Sequence, residues 1–211
     1  MTTELHGIKV KEKLVQRKPR LGEHKRLNPT AFKGYPGLTH TAREICNYIP
    51  KCKTFVEPFA GLGRITKHVK AERVILNDLS DFAFRYLKKH FTAEITNLDY
   101  SEMFRLYDSP NTFFFIDPPW FDEIYEINPL TVNTKPCKEI YKELQELLPK
   151  LKGNWMIAGE QNGPLTKWKY NHKLITSRKN YLFGHKAKTY LVSNLQFINY
   201  HQMTFEKEGQ P

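Results

Sequence analysis

From about residue 30 to residue 200 the chain alternates short apolar runs with amphipathic stretches. Five runs rich in β-branched and aromatic residues predict strands: TFVEPF (54–59), RVILND (73–78), AEITNL (93–98), TFFFID (112–117) and NWMIAG (154–159). Segments near 39–49, 62–70, 80–90, 100–107 and 136–151 predict the intervening helices. In the last of these, Ile140, Leu144, Leu147 and Leu148 fall on one stripe. Pro136 suits its first turn, and Pro149 with Gly153 mark its end. Strands separated by helices of this length imply right-handed crossovers and a mostly parallel sheet covered on both faces, an α/β fold. The end of the chain follows another rule. HKLITSRK (172–179) and KTYLVSNLQF (188–197) are joined by a loop containing Gly184 with no helical pattern between them, which predicts a closing antiparallel hairpin.

Residues 1 to about 30 show no sustained periodicity and carry the breakers KPR and NPT. The expected organisation is a basic, flexible arm over 1–31, one folded unit over 32–200 and a short tail over 201–211. A chain of 211 residues, 40% hydrophobic and 13% aromatic, can bury a sizeable core, which excludes wholesale disorder. No stretch approaches the roughly 18 apolar residues of a membrane span. The opening MTTELHGIKVKEK lacks the apolar centre of a secretory signal. Cys46, Cys52 and Cys137 form neither an even disulfide framework nor a close ligand cluster, so a reducing cytoplasm is the expected location and no metal is expected.

The formal charge of +11 favours a polyanionic partner, by phosphate neutralisation and counterion release. That charge is unevenly placed. Residues 1–33 hold nine Lys or Arg against three Glu, a surplus of six, and the other 178 residues carry the remaining five. A basic hairpin loop adds to it: Arg178, Lys179, Lys186 and Lys188 bracket Tyr181, Phe183 and His185. Cations interleaved with aromatics suit single-stranded or flipped bases, and they equally suit a solvated rim whose aromatics pack inward.

Three motifs carry candidate chemistry. In FVEPFAGLGRIT, Phe55 to Thr66, a strand runs into a turn with Gly61 and Gly63, where the backbone can approach a ligand that a Cβ would exclude. A helix beginning after that turn would aim its amides at the ligand. A plain tight turn is the competing explanation. Next, Asn77-Asp78 ends the second strand, where the carboxylate of Asp78 either accepts from ribose hydroxyls or caps the following helix. Ser80 competes for the cap, which leaves Asp78 freer for a ligand. Asp99, after the third strand, stands at a further rim position, either facing a ligand ring or as an exposed loop carboxylate. The third and most specific motif is FFFIDPPWF, Phe113 to Phe121. Two prolines fix the backbone and remove two amide donors. The Asp117 carboxylate and the Pro118 carbonyl can then accept both protons of a planar amino group, and Trp120 offers a face for a base taken out of its stack.

Together these motifs resemble the Dam-type, or D12 class, DNA-adenine methylases, with an FxEPFxGxG loop at Phe55–Gly63, an acidic residue at Asp78 and a DPPW tetrapeptide at Asp117–Trp120. The upstream FKGYPGLTHTAREICNYIP (32–50) is similar to that family's aromatic-glycine segment, and FDEIYEINPLT and KAKTYLVSN (186–194) also follow its pattern, so the resemblance spans roughly residues 32–198. It implies a Rossmann-like methyltransferase fold with a mostly parallel seven-stranded sheet and S-adenosylmethionine as cofactor. It implies that Tyr35, Gly37, Glu57, Pro58, Phe59, Gly61, Gly63, Asp78 and Asp99 surround the cofactor. Asp117, Pro118, Pro119 and Trp120 would act on the exocyclic nitrogen of adenine. Two departures stand out. The family's target-recognition insert is missing between residues 79 and 112, and Thr39 stands where a lysine usually follows the glycines, with Lys33 upstream. Recognition would then come from elsewhere, for instance a partner protein or a second copy. DPPW also occurs in messenger-RNA adenine methylases. An RNA substrate, a cytosine amino group and a catalytically silent nucleic-acid-binding subunit are the competing expectations.

Overall fold

The computed structural model describes residues 38, 41–119, 135–160, 163–176 and 188–200. In chain order the elements are α1 (Ala42–Cys46), β1 (Cys52–Glu57), a 3₁₀ turn (Thr66–His68), β2 (Ala71–Asn77), α2 (Asp81–His90), β3 (Glu94–Thr96) and α3 (Tyr100–Tyr107). β4 (Thr112–Ile116), α4 (Cys137–Leu147), a 3₁₀ turn (Leu148–Lys150), β5 (Asn154–Gly159), a second such turn (Pro164–Lys167), β6 (Asn171–Thr176) and β7 (Lys188–Ser193) follow.

All seven strands join one sheet in the order β3-β2-β1-β4-β5-β7-β6. The first five run parallel, and β7 is antiparallel to both β5 and β6. This is the Rossmann-like arrangement, with the predicted hairpin closing one edge. Both faces are covered because the strands alternate. Along β4, Phe113 and Phe115 pack with Phe55, Ile45, Ala42, Met156 and Ile65 on one face. Phe114 and Ile116 pack with Val56, Met103, Phe104, Leu144 and Trp155 on the other. Each buried phenylalanine contributes about 2 kcal/mol of apolar transfer free energy, which makes this central strand a rigid platform for whatever follows it.

The predicted helices at 80–90 and 100–107 form as α2 and α3, capped in the second case by Asp99, whose side chain accepts from the Ser101 amide at 2.9 Å. α4 begins one residue after Pro136, which sits at the N-cap rather than inside the first turn, and a 3₁₀ turn continues to Lys150. α1 is shorter than the predicted 39–49. Its N-cap residue Thr41 places its hydroxyl 3.1 Å from that of Thr189, which fastens the helix to β7 instead of capping it.

One prediction is corrected outright. Residues 62–70 are not an α-helix but a run of turns ending in the three-residue 3₁₀ segment Thr66–His68. Gly63 adopts φ of +63°, the left-handed region, which interrupts any helix begun at Leu62, and the Thr66 hydroxyl is engaged by Glu57. The turn at Pro164–Lys167, which packs Leu165 and Trp168 onto the core, has no counterpart in the sequence prediction. The arm at 1–31, the tail at 201–211 and the hairpin loop at 177–187 lie outside the described residues. Among the described residues no helix is long and apolar enough to cross a membrane.

Candidate active site

β1 and β4 are adjacent parallel strands, yet the chain leaves β1 toward β2 on one side and leaves β4 toward β5 on the other. A crevice opens at the carboxyl ends of two such strands, the position where open α/β sheets bind ligands. Glu57 ends β1, and Asp117 follows directly on β4. The sheet therefore brings two of the three sequence motifs to one place. The third arrives from β2, the neighbour of β1 on its other side.

The turn after β1 is held by a short set of hydrogen bonds. The Ala60 amide donates to the Asn77 carbonyl at 2.7 Å, and the Gly63 amide to the Ala60 carbonyl at 2.7 Å. The Gly61 amide donates to Asp78 Oδ2 at 2.8 Å. Gly61 and Gly63 have φ of +51° and +63°, and among the described residues they are the two with positive φ. Gly63 has a second constraint, because a Cβ there would lie 2.4 Å from Cζ of Phe91.

Asn77 stitches three strand ends together. Its Nδ2 donates to the carbonyls of Pro58 and Leu98, both at 2.9 Å. Its Oδ1 accepts from Thr96 Oγ1 and from the Leu98 amide, both at 2.8 Å. The residue is 1% exposed, so all four polar capacities of a buried amide are satisfied. The sequence places it beside Asp78 at the end of the second strand but gives it no role of its own. An Asn closing the apolar run RVILN is the available signal, since a buried amide persists only with its partners in place.

Asp78 takes part in opening α2, one of the two roles expected of it. Its Oδ1 accepts the Ser80 amide at 2.9 Å, while Ser80 makes no side-chain cap, so the carboxylate rather than the hydroxyl opens α2. Burial raises the Asp78 carboxyl from 3.8 to about 6, against the opposing pull of its two amide donors. Asp99, likewise, is engaged at its Oδ1, which accepts from both the amide and the hydroxyl of Ser101.

Glu57 is 2% exposed and accepts a hydrogen bond from the Thr66 hydroxyl. Burial pushes it up from 4.5 to about 8, the Thr66 bond opposes this, and the charges of Asp117 and then Asp78 add to the rise. Three carboxylates thus converge where β1, β2 and β4 end. No group among the described residues has the geometry of a metal cluster. Such a crevice favours a cationic ligand that also offers hydroxyl or amino donors. Phe59 packs its ring 5.1 Å from that of Tyr100 beneath the loop. Leu79, next to Asp78, is exposed and presents an apolar face at the rim, a feature that the sequence motifs do not single out.

Of the remaining predicted residues, Pro118 is buried and Asp117 and Pro119 are half-buried. Lys188 is exposed at the start of β7, paired in register with Thr176. Tyr35, Gly37, Trp120, Arg178, Lys179 and Lys186 lie outside the described residues.

Comparison with known proteins gives one family match over part of the chain and several structural likenesses. The model of the D12 class N6 adenine-specific DNA methyltransferases matches residues 39–90, the stretch that holds the glycine turn and Asp78. No curated protein matches the chain. Among solved structures, a conserved hypothetical protein of Streptococcus pyogenes superposes with a TM-score of 0.49 at 12% identity, covering 75% of this chain and 97% of its own. An rRNA methylase from Streptococcus thermophilus gives 0.48 at 12% identity, over 74% of this chain and 96% of that one. A 16S rRNA methyltransferase of T. thermophilus, solved with AdoMet and guanosine, gives 0.48 at 13% identity, over 79% of this chain but 41% of that one.

Proposed function

We propose that this protein is an S-adenosylmethionine-dependent methyltransferase that methylates the exocyclic amino group of adenine in DNA. The observation that carries the reading is the convergence of Glu57, Asp78 and Asp117 at the switch point, beside a left-handed glycine turn and ahead of two prolines. The match over residues 39–90 supports it.

The donor set fits the cofactor. A sulfonium that also carries an ammonium group suits a crevice of three carboxyl groups because its charge favours the ionised form of each, and Gly61 and Gly63 leave room for close backbone approach. When bound, the cofactor supplies an electrophilic methyl group. Each carboxylate oxygen of Asp78 already takes one amide and retains a second acceptor site, which suits ribose hydroxyls. Glu57, Pro58 and Phe59 line the pocket from β1, with Tyr35 and Gly37 from upstream and Asp99 at the rim. Asp117 and the Pro118 carbonyl accept the two amino protons, which holds the nitrogen in place and increases its electron density. Trp120 stacks on the base, Pro119 fixes the turn, and positioning supplies much of the rate. The basic arm and Arg178, Lys179, Lys186 and Lys188 contact phosphates.

A second reading, an adenine in RNA, is favoured by one observation. Between β2 and β4 the chain holds only α2, β3 and α3, with no room for a DNA-recognition insert. The experiment is methyl transfer from labelled cofactor to duplex DNA, single-stranded DNA and structured RNA, followed by nucleoside mass analysis. Methyldeoxyadenosine supports the main reading and methyladenosine in RNA the second. No transfer to any of the three, with cofactor bound, overturns both.

A further inference from the structure

The turn that follows the glycine loop carries a concentration of positive charge that the proposed chemistry does not use. Residues 64–70 contain Arg64, Lys67, His68 and Lys70 and no acidic side chain. The Cys46 thiol donates to the Ile65 carbonyl at 3.6 Å, so α1 lies alongside this turn. Arg43, three residues before Cys46, adds its exposed guanidinium to the same surface. Arg43 and Lys67 both bear on the His68 imidazole, and Arg64 bears on Lys67.

Three of these like charges are held together rather than neutralised. Arg43, Lys67 and His68 form no ion pair with any described residue, although Glu44 is next to Arg43 on α1. Burial first, and then the charges of Arg43 and Lys67, push the His68 imidazole below its ordinary value. Lys67 likewise falls, by burial and then by Arg64. Aromatic rings border the cluster. The Lys67 ammonium lies 5.8 Å from the Phe91 ring centroid, and Tyr86 stacks on His90 at 4.0 Å in the last turn of α2, where Lys88 and Lys89 are exposed. A surface that keeps cations crowded at a cost in repulsion is stabilised by a polyanion laid across it.

We propose that Arg43, Arg64, Lys67 and His68 form a phosphate-binding face that tracks the backbone of the nucleic-acid substrate beside the glycine turn. This rests on the reading that the substrate is a nucleic acid. It places backbone contacts on the sheet side opposite the α3–α4 layer. It also gives the chain a sequence-independent grip that needs no recognition insert.

The test is binding of the full-length protein to a short fluorescein-labelled DNA duplex over a salt series, measured by anisotropy. The variants are Arg43→Ala with Lys67→Ala, and Lys67→Arg as the charge-conserving control. Arg64 is left intact because it adjoins Gly63. The double variant is expected to bind at least tenfold more weakly, and the log–log salt slope to shrink by about 2, one for each cation removed from the phosphates. Lys67→Arg should retain the wild-type slope. Thermal melts and titration with S-adenosylhomocysteine establish that fold and cofactor site are unchanged. An unaltered slope in the double variant, or no binding of the duplex by the wild type, overturns the proposal. If the slope shrinks while the wild type methylates no nucleic acid, the phosphate face stands and the assigned reaction falls.

Discussion

The carboxylate of Asp78 accepts the backbone amide of Gly61 at 2.8 Å, across the gap between the end of β2 and the turn after β1. A residue assigned from sequence to a ligand is therefore also what holds the glycine turn in its left-handed form. In the proposed reading binding and architecture share one side chain, and substitution there should disturb both. Asn77, immediately before it, performs the purely structural half of that work.

Replacing Asp78 by Asn leaves one acceptor where two amides now point, and puts an amide donor opposite the other. Hydrogen bonds to a charged group are worth about 1.5–3 kcal/mol, so Asp78→Asn should destabilise the protein by about that amount and weaken cofactor binding more than tenfold. Urea unfolding and calorimetric titration measure the two effects. Unchanged cofactor affinity in a stable variant would confine Asp78 to the structural role.

Stability should fall as pH rises. Between its ordinary 4.5 and about 8, Glu57 in the folded protein keeps a proton that the unfolded chain has released. Asp78 acts in the same sense between 3.8 and about 6. Without ligand the melting temperature should therefore decline from about pH 5 to pH 8, as stability drops by an amount on the order of a few kcal/mol. Glu57→Gln, which can still accept from Thr66, should flatten most of the decline. A profile that rises with pH over this window would contradict the arrangement of the three carboxylates.

The sheet is legible in the sequence because its signals are local. RVILND and NWMIAG match β2 and β5 to within two residues, and the missing helical pattern after residue 172 marks the antiparallel pair. What escapes detection depends on distant partners. The helix expected at 62–70 fails because Gly63 turns left-handed under Phe91, 28 residues away. Likewise, the four bonds of Asn77 tie the end of β2 to the ends of two other strands, β1 and β3. The convergence of Glu57, Asp78 and Asp117 needs the strand order, which periodicity does not contain.

Gly63→Ala separates two causes of one constraint. The new Cβ would meet the Phe91 ring, and it would also occupy a φ of +63° that costs a non-glycine residue about 1–2 kcal/mol. The single variant should be destabilised by about 2–4 kcal/mol. Alanine at both Gly63 and Phe91 should cost less than the sum of the two single substitutions, since removing the ring relieves the clash but not the backbone strain. Full additivity in thermal or urea melts would show that the backbone strain dominates.

Asp117→Ala tests the assignment of the amino-group acceptor. The Pro118 carbonyl remains, so the base still has one partner while the second amino proton loses its acceptor. Loss of a preorganised electrostatic partner of this kind lowers turnover on the order of a hundred- to a thousandfold, and the effect should fall on kcat more than on cofactor affinity. A structural loss would act differently, lowering the melting temperature and both kinetic constants together. The substitution has a second consequence that needs no substrate. Asp117 is one of the two charges that raise Glu57, so its removal brings Glu57 down toward 4.5 and shrinks the fall in stability between pH 5 and pH 8. Both changes in one variant would place Asp117 in the same crevice as Glu57 and at the reacting nitrogen. Near wild-type turnover would remove it from the chemistry, and an unchanged pH profile would remove it from the neighbourhood of Glu57.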